Sequence, residues 1–371
     1  MKDLINIIET TTKNQTNKYI LKSDKLTTKI HSTTSLFHKE LIEFTTAFNK
    51  LFKNNKDPNN TINNYIIEND NLFEEAENVL NNNDLITTKA LDAFNIATRT
   101  TSKAKCDKEK EHYIMKCYEY FIYIFDKSQN KSYMLIKKDI KVLTMINILL
   151  LTPYLMYGEL FAVHGGLISK DKKNILINNA SLGGKTTFAI LFASNGWDII
   201  TEETTYITTN GEILPFNIRN YFNIRVGTYL NFLDFFKSKN IIFDDFISMN
   251  KLSSDELYNL GKKDQKSIEF EKIGTFKELE NKCITDTLKV ALKKDEPFKM
   301  IECSKNESVD AFLNLSLAPT VLLFTELLNF DIKDKETRKK QLEEIFMKTN
   351  SFEINSGFDY KNHFKEILKN I

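Results

Sequence analysis

Glycine is distributed unevenly along this 371-residue chain, and its distribution constrains where the backbone can make tight turns. None of the 11 glycines precedes Gly158, and eight of them lie between Gly158 and Gly227. Glycine adopts positive φ without steric penalty and lets a backbone approach another group closely. We therefore expect the chemistry of the protein to lie in this window, and the residues before it to act as scaffold or recognition surface.

A strand, a loop and a helix follow one another at the centre of this window. The run ILIN at 175–178 is typical of a buried strand, and NASLGGKTT at 179–187 leads into an apolar helix. We expect the helix to end near Asn195, because Gly196 lies where a helix C-terminal cap belongs.

The loop matches a phosphate-binding pattern. The frame from Asn179 to Thr186 fits G-x-x-x-x-G-K-[ST] at every position except the first, and asparagine enters the left-handed region at modest cost. Loop amides of this kind cradle an anion, Lys185 would neutralise the outer phosphates, and the Thr186 hydroxyl would ligate Mg²⁺. Two alternatives stay open: a chance match in a lysine-rich chain, and a loop that keeps this shape without binding nucleotide.

Two further sets of residues near the loop are candidates for chemistry. Glu202 and Glu203 follow a predicted strand at 197–201, and adjacent residues on an extended chain point to opposite faces. One carboxylate is therefore expected at a metal and the other at an acceptor; the alternative is a solvated acidic pair. His164 lies in a predicted strand at 160–168 and is the one histidine in an apolar, glycine-flanked setting. The alternative role of His164 is that of a core residue whose hydrogen bonds are satisfied.

The window 160–232 and, more weakly, the tail around Phe352 to Leu368 resemble the HPr kinase/phosphorylase family, whose fold is related to phosphoenolpyruvate carboxykinase. That family carries a V-H-G strand, a glycine-rich phosphate loop, an adjacent acidic pair and an arginine-containing stretch, in this order. The corresponding segments here are Val163-His164-Gly165, Asn179 to Thr186, Glu202-Glu203, and Asn217-Ile-Arg219 with Asn223-Ile-Arg225. The hairpin and apolar helix ahead of V-H-G are more similar to those of the smaller relatives, which phosphorylate a protein serine, free serine or ribosomal precursor peptides.

The resemblance implies a P-loop kinase core that uses ATP and Mg²⁺. It implies nucleotide contacts by Asn179, Ser181, Gly183, Gly184, Lys185, Thr186, Thr187, Arg219 and Arg225. It also implies catalytic roles for Lys185, His164 and both glutamates, with Glu202 preferred as general base and Glu203 as the metal partner beside Thr186. For the two arginines, a surface ion pair is the alternative.

This chain departs from the family at several positions. The acidic pair is Glu-Glu where the family has aspartate, Leu182 replaces a loop glycine, and Asn223 replaces a glutamate. HPr as substrate and the phosphorylase activity are therefore not carried over.

The rest of the chain contributes to the expected fold, an α/β class with a mixed α+β sheet. Residues 1–105 are expected to be a mostly helical extension, and 106–371 the catalytic domain with its motifs at 160–232. In the extension, helices are predicted at Phe37 to Leu51, where apolar residues step by four and three, and near Ile66 to Leu80.

The segment between the extension and the motifs has a different pattern. Aromatic and β-branched runs at 118–125 and 133–136 predict a β-hairpin, and an apolar helix is expected at about 139–157.

Composition excludes several classes of partner. The 51 Lys and Arg nearly balance 50 Asp and Glu, which excludes a bulk electrostatic nucleic-acid binder. The four cysteines have no metal-type spacing and favour a reducing, cytoplasmic setting. The uncharged stretch from Val142 to Gly158 is shorter than the roughly 20 residues of a membrane span, so no membrane partner is expected.

These patterns together favour an ATP- and Mg²⁺-dependent kinase acting on a hydroxyl, with Ser or Thr of a peptide or protein as the preferred acceptor. A nucleotide-binding or sensing protein without phosphotransfer is one alternative. A small-metabolite kinase of the free-serine type, in which residues 1–105 serve oligomer contacts, is another. The oligomeric state is left open.

Overall fold

The structure is a computed structural model of the whole chain. It describes residues 1–13, 17–52, 60–81, 84–87, 103–117, 119–139, 143–178, 183–217, 221–253, 256–257, 260, 264–275, 277–293, 295–303 and 335–371. Site candidates Asn179, Ser181 and Arg219 lie outside these residues, as do the departure at Leu182 and Tyr118 of the predicted hairpin.

The chain forms two compact units. The first contains the described residues of Met1–Leu160 together with Lys335, and the second contains the described residues of Phe161–Leu315 and Glu336–Ile371. The boundary expected from the sequence at residue 105 lies inside a strand, Lys103–Cys106, of the first unit.

The first unit combines helices with one seven-stranded sheet. Its helices are α1 (Lys2–Thr12), α2 (His38–Leu51), α3 (Asp70–Leu80) and α4 (Leu143–Met156). Its strands are β1 (Asn17–Lys22), β2 (Leu26–Ser32), β3 (Asn60–Glu68), β4 (Lys103–Cys106), β5 (His112–Cys117), β6 (Phe121–Asp126) and β7 (Lys131–Ile136). Their order in the sheet is β1-β2-β3-β7-β6-β5-β4, with parallel pairs at β2–β3 and β3–β7.

For the described residues of 1–105, the expectation of a mostly helical extension is wrong, because β1 to β4 lie there beside helices α1 to α3. Burial in β2 alternates between successive residues, as it does in a half-covered strand. Its threonines and isoleucine are β-branched, which favours a pleated sheet over a helix. The fold class is therefore mixed α/β in this unit as well.

Three local predictions in the first unit are confirmed in whole or part. Helix α2 buries its predicted apolar stripe, including Leu41, Phe44 and Phe48. Strands β6 and β7 form the predicted antiparallel hairpin. Helix α3 begins only at Asp70, because the Asn69 side chain caps it by accepting from the Leu72 amide, and the residues before it belong to β3.

The second unit contains a six-stranded mixed sheet, a three-stranded sheet and a two-stranded sheet. Its strands are β8 (Leu160–Val163), β9 (Gly165–Lys170), β10 (Lys173–Asn178), β11 (Asp198–Thr201), β12 (Thr205–Thr208), β13 (Ile213–Leu214), β14 (Tyr221–Arg225), β15 (Gln265–Glu269), β16 (Asp286–Leu292), β17 (Lys299–Glu302) and β18 (Asn350–Ser356). The large sheet has the order β11-β9-β10-β16-β18-β17, β13-β12-β8 form a second sheet, and β14 pairs with β15. Strand β10 runs parallel to β16 and antiparallel to β9.

Short helices accompany these sheets. The α-helices are α5 (Lys185–Ala193), α6 (Val226–Asn231), α7 (Leu233–Ser238), α8 (Asp244–Ser248), α9 (Lys335–Phe346) and α10 (Phe364–Asn370). Among the described residues, 3₁₀ turns span Met249–Lys251, Phe270–Lys272 and Tyr360–His363. Helix α5 is apolar and buried from Phe188 to Phe192, as expected of a helix enclosed by a core.

The predicted strand at 160–168 is divided in two by a bend at His164. Strand β8 ends at Val163 and joins the smaller sheet, whereas β9 begins at Gly165 in the larger one. A Cβ on Gly165 would lie 2.8 Å from the Ile177 carbonyl oxygen of the neighbouring strand β10, so glycine allows β9 and β10 to approach closely at this point. His164 is therefore carried on a corner between two sheets.

Candidate functional site

The start of helix α5 forms one wall of the candidate site. Gly184 caps the helix at φ +98°, and its carbonyl accepts the first helical hydrogen bond, from the Phe188 amide at 2.9 Å. A Cβ at this position would lie 2.7 Å from Leu292 Cγ, so both the backbone angle and the contact require glycine. The amides of Lys185 to Thr187 have no carbonyl acceptor within the helix, and a helix N-terminus attracts anions.

A pocket of about 350 Å³ opens in front of this helix end. Nine residues singled out from the sequence line it: His164, Gly183, Gly184, Lys185, Thr186, Thr187, Glu202, Glu203 and Arg225. Residues separated by more than 60 positions in the chain thus converge on one cavity, within the range of volumes usual for small-molecule sites.

Lys185 points its ammonium toward the corner that carries His164. The distance from Lys185 Nζ to His164 Nε2 is 2.9 Å. An ammonium has only hydrogens to donate, so in this contact Nε2 accepts and the ring proton of His164 lies on Nδ1. Burial lowers the pKa of the Lys185 ammonium, and the negative charges of Glu203 and Glu202 act against that shift.

Thr186 lies beside Glu202. Its hydroxyl donates a long hydrogen bond of 3.5 Å to Glu202 Oε1. Glu202 is only 7% exposed, and its amide donates to Asn217 Oδ1 at 3.0 Å. The acid that accompanies Thr186 is therefore Glu202, whereas the sequence-based assignment paired Thr186 with Glu203.

Glu203 occupies a strained backbone position in the turn between β11 and β12. Its φ is +57°, and the Thr204 amide donates to the Glu202 carbonyl at 2.6 Å across it. This is a γ-turn with positive φ at its central residue, a rare and strained conformation. The turn interrupts the alternation of the extended chain, which explains how two adjacent carboxylates both line the pocket. We call residues 202–204 the acidic turn.

A second wall comes from β14, β15 and the start of α6. Arg225 ends β14 and caps α6, and Gln265 is its register partner on β15. The Thr187 and Thr228 hydroxyls lie 2.8 Å apart and connect the first turns of α5 and α6. The side-chain oxygen of Asn223 accepts from the Ser267 hydroxyl at 2.7 Å.

The far wall was not identified residue by residue from the sequence. Phe358 and Tyr360 line it, together with Asn231, whose amide donates to the Tyr360 hydroxyl at 3.3 Å. Burial raises the pKa of the Tyr360 hydroxyl above its ordinary value. The available signal was the family resemblance of the tail around Phe352 to Leu368, which did not specify these side chains.

The donor set in the pocket is of the kind that Mg²⁺ uses. In the described part of the chain, no group of three or more His, Cys, Asp and Glu side chains is arranged to hold a metal. Magnesium sites commonly use one or two carboxylates and complete their octahedron with phosphates and water. The Thr186 hydroxyl and the Glu202 carboxylate fit that pattern.

Comparison of the chain with protein-family models and with curated proteins finds no match. Within the described ranges, no helix combines the length and apolar character needed to cross a membrane.

Proposed function

We propose that the second unit is an ATP- and Mg²⁺-dependent kinase that transfers the γ-phosphoryl group to a hydroxyl. The observation that carries the proposal is the convergence of the α5 N-terminus, Lys185, Thr186, Glu202 and Glu203 on one pocket. Phosphoryl transfer depends mainly on positioning and on neutralising charge, and these groups supply both. The same convergence supports the proposed P-loop core of the HPr kinase type.

Each group has a chemical role in this proposal. The α5 amides and the Lys185 ammonium bind phosphate oxygens, and Arg225 adds a second positive charge. Thr186 and Glu202 would hold Mg²⁺, which would supply charge to neutralise the phosphates. Glu203 is then the general base that accepts the proton of the attacking hydroxyl, the reverse of the sequence-based assignment.

The preferred acceptor is a Ser or Thr side chain of a peptide or protein. This preference comes from the family resemblance, since the smaller relatives include kinases of that kind. The protein is proposed to act in the cytoplasm, without nucleic-acid or membrane partners.

A nucleotide-binding protein without transfer is the second candidate. Asn223 stands where the resembled family carries a glutamate, and its side-chain oxygen is engaged by Ser267. Because Asn223 is not acidic, the pocket has the two carboxylates of Glu202 and Glu203 where the resembled family has three. This favours a protein that binds a nucleotide without transferring its phosphate.

Calorimetric titration with Mg·ATP, followed by measurement of ADP formation with hydroxyl acceptors, tests the proposal. We expect Lys185→Ala to weaken binding roughly 10- to 100-fold, since a hydrogen bond to a charged group is worth about 1.5–3 kcal/mol. Lys365, exposed on α10, is the matched control, and Lys365→Ala should bind like wild type. Wild-type protein that ignores millimolar Mg·ATP would eliminate both candidates, and binding without transfer would favour the second.

The same assays separate the two acids. We expect Glu203→Gln to keep Mg·ATP affinity while transfer falls by about 10²-fold or more, as for loss of a general base. Glu202→Gln should raise the Mg²⁺ concentration needed for half-maximal binding. The opposite pattern would restore Glu202 as the base and Glu203 as the metal partner.

A further inference from the structure

A chain of hydrogen bonds between buried threonines connects the strands on either side of the acidic turn. The Leu167 amide donates to Thr201 Oγ1 at 3.1 Å, and the hydroxyls of Thr201 and Thr205 lie 2.6 Å apart. Thr205 Oγ1 in turn donates to the Gly165 carbonyl at 2.9 Å. Both threonines are completely buried, so the chain is shielded from competing water.

The direction of this chain follows from counting hydrogens. A hydroxyl has one hydrogen to donate, and Thr205 gives its hydrogen to Gly165. Thr201 must therefore donate to Thr205, while its own oxygen accepts from Leu167. The chain thus runs one way, from the Leu167 amide to the Gly165 carbonyl, and every donor in it has an acceptor.

This chain of hydrogen bonds joins residues adjacent in sequence to those that line the pocket. Thr201 and Thr205 immediately flank the acidic turn, and Gly165 follows His164, the acceptor for Lys185. Strained backbone such as that of Glu203 persists only where the surroundings over-determine it. The threonine hydroxyls and Asn217, which is 1% exposed and accepts from the Glu202 amide, are the neighbours that do so.

We propose that the hydroxyls of Thr201 and Thr205 are positioning groups of the active site. They hold the acidic turn against the corner that carries His164, so that both carboxylates and Lys185 face one pocket. The link to catalysis rests on the proposed function, whereas the restraint of the turn does not.

Isosteric substitutions test the proposal. Thr205→Val keeps the volume and removes the hydroxyl, whereas Thr205→Ser keeps the hydroxyl. Thr208→Val is the matched control, because Thr208 is also buried in β12 and accepts from the Glu212 amide at 3.1 Å, in a turn at the other end of that strand. If Thr205→Val does not yield soluble protein, Thr201→Val breaks the same chain at its other hydroxyl.

The first readout is amide hydrogen exchange in nucleotide-free protein. We expect faster exchange at residues 201–206 in Thr205→Val, with protection of α5 unchanged and with protection restored in Thr205→Ser. The second readout is turnover of Mg·ATP to ADP and phosphate, with water as acceptor. Because a misplacement of about 1 Å can cost on the order of 10²-fold in rate, we expect kcat to fall 10- to 100-fold at unchanged KM for ATP. Thr205→Ser and Thr208→Val should retain kcat.

Each outcome has a distinct meaning. Wild-type exchange and wild-type kcat in Thr205→Val would overturn the proposal, as would a loss of kcat no larger than that in Thr208→Val. If wild-type protein itself neither binds nor turns over ATP, the kinase function fails and the catalytic role fails with it. The exchange comparison then still decides whether the threonines restrain the turn.

Discussion

Lys185 holds a positive charge in a half-buried position beside one histidine and two carboxylates. Burial disfavours the ammonium, as the lowered pKa of Lys185 indicates, and the acids compensate for this only in part. A bound phosphate would add negative charge at the same place. The ligand-free protein therefore keeps a destabilised group that an anionic ligand would stabilise.

The lowered pKa of Lys185 has a defined effect on stability. The unfolded chain binds this proton more tightly than the folded chain, so stability rises with pH between the folded and unfolded pKa values. We expect Lys185→Met to be more stable than wild type below the folded pKa. That advantage should shrink as pH rises and vanish near the unfolded lysine value of about 10.4. Urea unfolding of both proteins from pH 7 to 10.5 measures the difference.

Other lysines and tyrosines titrate in both proteins, so their contributions cancel in this comparison. Lys365→Met changes an exposed site, so its free energy of unfolding should differ from that of wild type by an amount that does not vary with pH. An advantage of Lys185→Met that grows with pH would contradict the assigned burial penalty.

At the scale of elements, the acidic turn is an irregular joint between two short strands. Its positive φ at Glu203 is the feature that turns both carboxylates toward the pocket. Such joints concentrate at functional sites, because regular elements cannot present adjacent side chains to one face.

The strain at Glu203 is measurable by comparing two substitutions that both remove the carboxylate. At an ordinary strand position, glycine is less stable than alanine by about 0.5–1 kcal/mol. At positive φ the order should reverse, with Glu203→Gly more stable than Glu203→Ala by about 1 kcal/mol. Chemical denaturation of the two variants provides the measurement.

Glu353 in β18 provides the control pair, since either substitution there also removes a carboxylate, one that pairs with Lys289 at 2.9 Å. At this position, Glu353→Gly should have a lower free energy of unfolding than Glu353→Ala. The same order at both sites would exclude strain at Glu203.

At the scale of the whole molecule, the described residues of 1–105 contribute to the core of the first unit and do not form a separate extension. One buried cluster joins Leu4, Ile8 and Phe73 with Ile124 and Leu135. Strand β3 also pairs with β7 across the expected boundary.

Two truncations test whether residues 1–105 are part of the first unit or a separable extension. Removal of residues 1–105 should expose the part of that cluster that lies on β5, β6 and β7, together with an unpaired edge of β7, so we expect aggregated protein. A chain that starts at Gly158 keeps β8 and the core of the second unit, and should be soluble and give a cooperative thermal transition by circular dichroism. Folded, active protein after the first truncation would contradict the unit boundary and would favour the small-metabolite kinase.

Features encoded within a few neighbouring residues were predictable from the sequence. The positions of β10 and α5 in the chain, the hairpin β6–β7 and the stripe of helix α2 depend on local periodicity and turn residues, and the structure contains them. The same holds for the concentration of candidate site residues near Lys185. Short-range backbone preferences are sufficient for such features.

Features that depend on pairing between distant segments required the three-dimensional structure. Strand β3 pairs with β7 through long-range sheet register, which the local sequence does not reveal, and the expectation of helix is wrong for strands β1 to β3. The contact of Thr186 with Glu202, the bend at His164 and the wall of Phe358 and Tyr360 likewise depend on how separate strands align. Side-chain distances across a sheet are set by register and burial, and these are properties of the folded chain as a whole.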